Sequence, residues 1–150
     1  MPTIQRTLHI QTDPEAVFDL VSRVEDFSQY SKIIREIIPV KPDTYRWRIR
    51  AAGFELEWDS IVTEASRPSH LAWRSIRGVD NRGAFDLAPV AGGTRVCFTM
   101  TYQLANPVLE KIINAIAAPI MRQVAGEILE QVRQRLEKAN EGKTKRVPTL

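Results

Sequence analysis

The stretch Thr44-Tyr45-Arg46-Trp47-Arg48-Ile49-Arg50-Ala51-Ala52-Gly53-Phe54-Glu55-Leu56-Glu57-Trp58-Asp59-Ser60 decides how this chain folds. If Ala52-Gly53 forms a two-residue turn, the flanks pair as an antiparallel hairpin in which Arg50 faces Glu55, Arg48 faces Glu57 and Arg46 faces Asp59. The other face then collects Ile49 with Leu56, Trp47 with Trp58, and Tyr45 with Ser60. Side chains alternate with period two, so a slip of one residue would carry every charge into the core and both tryptophans into water. The pattern therefore specifies its own register, with the charged face outward.

Working outward, the chain from Ile33 to about Leu104 reads as consecutive strands. They are separated by turn chemistry at Pro39 to Pro42, Ala52-Gly53, Arg67-Pro68, Gly78 to Asn81 and Ala91 to Gly93. Short connections between successive strands give an antiparallel meander. Leu71, Trp73 and Ser75, then Gly83, Phe85 and Leu87, then Val96, Phe98, Met100 and Tyr102 repeat the alternation and join Trp47 and Trp58 on the concave face. Arg74 and Asp86 fall on the outer face. Gly92-Gly93 lies between two strands with no helix after it, so it is a hairpin turn and not a phosphate loop.

Ahead of this meander, Thr3 to Gln11 alternates with Ile4, Leu8 and Ile10 on one side, a half-buried first strand. Thr12-Asp13-Pro14-Glu15 carries a capping residue, a first-turn proline and a glutamate at the positive end of the helix dipole. Val17, Leu20, Val21 and Val24 then share a helical face, and a second short helix from Asp26 brings Phe27 and Tyr30 inward.

After Asn106-Pro107 the chain turns helical. Val108, Leu109, Ile112, Ile113 and Ile116 form one stripe, continued by Ile120, Val124, Ile128, Val132 and Leu136 with Met121 and Leu129 beside them. Pro119 lacks an amide donor and crowds the preceding turn, which predicts a kink or break near Ala117 to Pro119. Pro119 to Lys138 is then an amphipathic helix of about 30 Å.

With 150 residues, 43% hydrophobic and 26% charged, one domain with a substantial core is expected, here residues 1–140, followed by a flexible basic tail at 141–150. Lys143, Lys145 and Arg146 against Glu141 supply +2 of the formal +3, leaving the body near neutral. No basic stripe with interleaved aromatics remains to track phosphates, so no nucleic-acid partner is expected. A single cysteine, Cys97, excludes a disulfide framework, a CxxC motif or a cysteine-based zinc site. No secretory pattern opens the sequence and no run of 18 apolar residues occurs, so the expectation is a soluble, cytoplasmic protein without a transmembrane segment. Transient contact with a membrane surface is compatible with this, and the oligomeric state is left open.

The order of elements is strand, two short helices, six strands, long helix. A single antiparallel sheet must cover its apolar face, and only the C-terminal helix is long and apolar enough to do so. The expected class is α+β, a curved antiparallel seven-stranded sheet wrapped around a long C-terminal helix. Thr12-Asp13-Pro14-Glu15-Ala16-Val17-Phe18, Val24-Glu25-Asp26-Phe27-Ser28-Gln29-Tyr30, Gly92-Gly93-Thr94-Arg95-Val96 and Thr101-Tyr102-Gln103-Leu104 resemble the polyketide cyclase/dehydrase and lipid-transport branch of the START-like, helix-grip (SRPBCC) superfamily. The resemblance runs over roughly residues 3 to 138. It implies an internal pocket, and members include lipid and sterol carriers, ubiquinone-binding proteins, aromatase/cyclases, hormone receptors and chaperone cofactors, so it names a cavity and not a reaction. Coenzyme Q-binding members carry a proline-tryptophan-cysteine-like stretch where this chain reads Tyr30-Ser31-Lys32-Ile33-Ile34, which argues against a quinone-specific pocket.

The expected ligand is a hydrophobic small molecule: a lipid, an isoprenoid or a polycycle. The residues assigned to the cavity are Tyr45, Trp47, Trp58, Ser60, Trp73, Ser75, Phe85, Phe98, Met100, Tyr102, Ile116, Ile120 and Val124. Tryptophans offer flat apolar walls with one donor each, and a buried phenol needs a polar partner. Core packing is the competing reading of each of them. His9 falls on the outer face of the first strand and His70 beside the Pro68 turn, so neither is a convincing base. No HExxH or similar spacing appears, and no catalytic residue, cofactor or metal is expected. Two alternatives stand beside the carrier: an aromatase/cyclase polarising carbonyls through Tyr45, Ser60, Ser75 or Tyr102, and an interaction module whose aromatics fill the interior.

Overall fold

The protein is described from a computed structural model, which covers residues 3–51, 53–103 and 107–145; for 51, 54, 107–118 and 140–145 it gives the backbone. The elements are β1 (Thr3–Ile10), α1 (Pro14–Val21), a 3₁₀ helix (Val24–Gln29), β2 (Ile34–Lys41), β3 (Thr44–Ala51), β4 (Phe54–Ser66), β5 (His70–Gly78), β6 (Asp80–Val90), β7 (Gly93–Gln103) and α2 (Pro107–Lys145). The strands form one seven-stranded sheet in the order β1-β7-β6-β5-β4-β3-β2, antiparallel at every pairing. This is the curved sheet and C-terminal helix of a helix-grip fold.

The β3–β4 register is the one expected from the charges: Arg50 lies opposite Glu55, Arg48 opposite Glu57, Arg46 opposite Asp59, Trp47 opposite Trp58 and Tyr45 opposite Ser60. Arg46 forks onto Asp59 at 2.9 and 3.2 Å, and Arg48 reaches Glu57 at 2.8 Å. Glu55, however, takes Arg35 of β2 at 2.9 Å. The network spreads sideways, through Arg48 to Glu36 of β2 at 2.6 Å and through Arg77 of β5 to both Glu57 and Asp59.

Arg77 reaches that face because β5 carries a bulge. Asp59 pairs with Arg77 and Ser60 with Ser75, so Ile76 has no partner on β4 and stands 50% exposed. Strict alternation from Trp73 and Ser75 would have turned Arg77 inward; one extra residue turns it out.

Several boundaries differ from the sequence reading. β2 runs through Pro39, which lies on an edge strand where a missing ladder donor is tolerated, and the turn narrows to Pro42 and Asp43, the latter at φ 58°. The 3₁₀ helix starts at Val24, ahead of Asp26. No break occurs at Ala117 to Pro119: Pro119 sits inside a helix that continues to Lys145, because one lost intrahelical bond is outweighed by its intact neighbours. The boundary placed at residue 140 therefore falls within α2, and residues 146–150 lie outside the described residues.

Asp13 caps α1, its Oδ1 accepting from the Ala16 amide at 2.9 Å. Val17, Phe18 and Val21 of α1 and Val24 and Phe27 of the 3₁₀ helix are buried. From α2, Met121, Val124, Ala125, Ile128, Leu129 and Val132 pack into the same core. No helix among the described residues is long and apolar enough to cross a membrane.

Candidate ligand cavity

Between the concave face and α2 lies a cavity. The sheet supplies Tyr45, Trp47, Trp58, Ser60, Val62, Leu71, Trp73, Asn81, Phe85, Phe98 and Met100; the helices supply Val21, Val24, Phe27, Met121, Val124, Ala125 and Ile128. No charged side chain is among them. The space open to the centre of a water-sized molecule is about 60 Å³. Against the roughly 300 to 1,000 Å³ of a small-molecule site, this space is small.

The walls are aromatic and mutually braced. Trp47 stacks on Trp58 at 5.6 Å, and Phe27 meets Trp47 edge-on at 6.1 Å. Trp73 lies against Phe85 at 5.6 Å and Phe98 at 5.9 Å. Gly83 makes room for this second group, since a Cβ there would come within 2.5 Å of the Trp73 ring. Trp47 Nε1 is buried with no acceptor among the described residues, and an unmade donor in such a place costs about 1 to 3 kcal/mol.

One row of polar residues crosses the sheet here, and three of its members, Tyr45, Ser60 and Asn81, line the cavity. Tyr45 on β3 pairs with Ser60 on β4, Ser60 with Ser75 on β5, and Asn81 on β6 with Tyr102 on β7. Ser75 closes the middle, its Oγ accepting from the Asn81 amide at 2.9 Å. The Asn81 side-chain amide donates in turn to the Val79 carbonyl at 2.9 Å. Burial raises the Tyr45 phenol, with Glu25 and Asp43 adding to it, so the group stays a neutral donor at ordinary pH. Burial also raises Tyr102, against the opposing pull of Arg122.

The model of the family described as polyketide cyclase/dehydrase and lipid transport matches residues 1–137. The chain belongs to that family. Solved structures agree on the fold. TTHA0849 from Thermus thermophilus shares 23% identity at a TM-score of 0.79, over 92% of this chain and 99% of that one. A START superfamily protein from Mycobacterium smegmatis shares 17% at 0.64, over 93% and 97%. The di-domain ARO/CYC StfQ of the steffimycin biosynthetic pathway shares 9% at 0.76, over 93% of this chain and 51% of that one. At such identities the likeness is one of fold. No curated protein matches in sequence.

For this member of the polyketide cyclase/dehydrase and lipid-transport family, the structure brings together at the cavity Tyr45, Trp47, Trp58, Ser60, Trp73, Phe85, Phe98, Met100 and Val124. Ser75 does not line it; its Oγ is held by the Asn81 backbone amide. Tyr102 is buried at 2% exposure in the same polar row, outside the lining. Ile120 packs against the core without lining the cavity. The side chain of Ile116 lies outside the described residues. Val62 went unrecognised although it continues the alternation of Trp58 and Ser60. Asn81 was missed because it reads as turn chemistry.

Outside the cavity, His9 is exposed, with Nε2 3.4 Å from the Ala91 carbonyl. His70 sits between Asp86 at 2.6 Å and Glu64 at 3.1 Å. Arg74 and Asp86 are exposed on the outer face. No His/Cys/Asp/Glu group that could hold a metal occurs among the described residues.

Proposed function

We propose that this chain binds and carries a hydrophobic small molecule, a lipid, isoprenoid or polycycle, between the sheet and α2. The observation that carries the reading is the cavity wall itself: stacked tryptophans and phenylalanines and, among the described residues, no charge and three polar side chains, Tyr45, Ser60 and Asn81. Such a wall matches the general make-up of ligand sites, and the family's description includes lipid transport. A space of about 60 Å³ requires that the cavity widen on binding. We assign that opening to the front of α2 ahead of Pro119, where the missing intrahelical bond weakens the helix.

Native mass spectrometry of gently purified protein, followed by organic extraction, tests the reading. A stoichiometric hydrophobic adduct supports it. A clean apo mass, with no thermal shift across a lipid and polyketide panel, overturns it in favour of an interaction module with a filled core, the reading that the small volume favours.

An aromatase/cyclase is the second reading, favoured by the structural likeness to StfQ. Positioning a polyketone against polar side chains can supply much of a cyclisation's acceleration. Turnover that survives substitution of Tyr45, Ser60, Ser75 and Tyr102 together would remove it.

A further inference from the structure

We infer that Tyr45, Ser60 and Asn81 form the hydrogen-bonding end of the cavity and select a neutral, hydroxyl-bearing ligand over a carboxylate of the same shape. The inference rests on the ligand-binding reading above and narrows the ligand's class.

The three residues line the cavity along one row across the sheet, Tyr45 beside Ser60 and Asn81 two strands further on, with Ser75 of β5 between Ser60 and Asn81; each strand step is about 4.8 Å. Their hydrogen-bonding roles differ. The Val79 carbonyl can only accept, so the Asn81 amide must turn Nδ2 toward it, at 2.9 Å. Oδ1 is left as an acceptor to which no described residue donates. Ser75 holds the segment still: its Oγ accepts from the Asn81 backbone amide and donates to Asp80 at 3.4 Å. Asn81 thus offers the ligand an acceptor, which a hydroxyl satisfies and a carboxylate or ketone oxygen does not. Tyr45 and Ser60 can donate or accept, and no hydrogen bond from a described residue engages either hydroxyl. A buried anion needs a partner charge, and among the described residues none lines this space.

Three probes on one bicyclic frame separate the claims: 2-naphthol, 2-methylnaphthalene and 2-naphthoate, measured by calorimetry at neutral pH. The expected result is 2-naphthol tighter than 2-methylnaphthalene by about tenfold, the difference between a made hydrogen bond and an acceptor left bare against a methyl group. 2-Naphthoate should be weaker than 2-naphthol by on the order of a hundredfold. Asn81→Leu should bring the naphthol and methylnaphthalene affinities together, while Tyr45→Phe, which keeps the ring, should shift the ratio the same way and serves where the Asn81 variant does not fold. Equal binding of naphthol and methylnaphthalene to the unmutated protein, or naphthoate binding as tightly as naphthol, overturns the selectivity and leaves the cavity reading standing. Binding of none of the three overturns both.

Discussion

Trp47 and Trp58 stack across the β3–β4 pair with ring planes 12° from parallel, yet the two indoles are in different positions energetically. Trp58 is 5% exposed and a member of the main core. Trp47 is half-buried and holds an indole N–H that no described residue accepts. Trp58→Ala should therefore lower unfolding free energy by about 3 to 5 kcal/mol, as large-to-small core changes do. Trp47→Phe keeps an aromatic face and removes the unmade donor, so its cost should stay below about 1.5 kcal/mol. Urea denaturation of the two variants checks the contrast, and equal losses would contradict it.

Asp59 links the outer charge network to acid stability. Hydrogen bonds from Arg46 and then Arg77 lower its carboxyl from 3.8 to about 2. A carboxyl lowered by folding contributes stability that is fully present above its unfolded value and is lost as pH falls through the folded one. The window is thus pH 4 down to 2. Screening on this outward face reduces the contribution to about 1 kcal/mol. Asp59→Asn should flatten the stability profile across that window, read by thermal melts at stepped pH.

Gly78 and Gly92 both sit in the left-handed region, at φ 81° and 79°. A Cβ on Gly78 would meet the Glu57 carbonyl oxygen at 2.2 Å, whereas one on Gly92 has nothing within 4 Å. Gly92→Ala should cost only the backbone penalty of about 1 to 2 kcal/mol. Gly78→Ala should cost clearly more, since β4 and β5 must part. Paired melting curves decide the order.

Pro119→Ala returns a donor to the middle of α2. The helix should gain up to about 3 kcal/mol locally, seen as slower amide exchange in the turns around residue 119. If the front of α2 opens for ligand, association of a hydrophobic probe should slow in the same variant. Exchange over 107 to 119 that already matches the central strands in the unmutated protein would remove that segment as the gate.

The legibility of this chain followed the strength of each local pattern. Opposed arginines and acids left the β3–β4 hairpin one register, and period two then carried the inward set to Trp73, Phe85, Phe98 and Met100. The bulge at Ile76 was hidden because a single inserted residue leaves no mark in composition. Asn81 looked like a turn residue because its role depends on Ser75 and Val79, contacts that exist only after β5 and β6 have paired. Pro119 predicts a kink or break because local propensity takes no account of the helical turns on either side. The small volume of the cavity depends on how neighbouring rings brace one another, which no single strand encodes.

Ile76 has a consequence for how relatives of this chain should be compared. Its presence shifts the phase of β5, so that residues before it and residues after it obey opposite inside-outside rules within one uninterrupted strand. A comparison that forbids gaps inside strands would align Arg77 with an interior position in any relative lacking the extra residue, and would score a surface cation as a loss of the core. Placing a one-residue gap at 76 keeps both halves of the strand in phase.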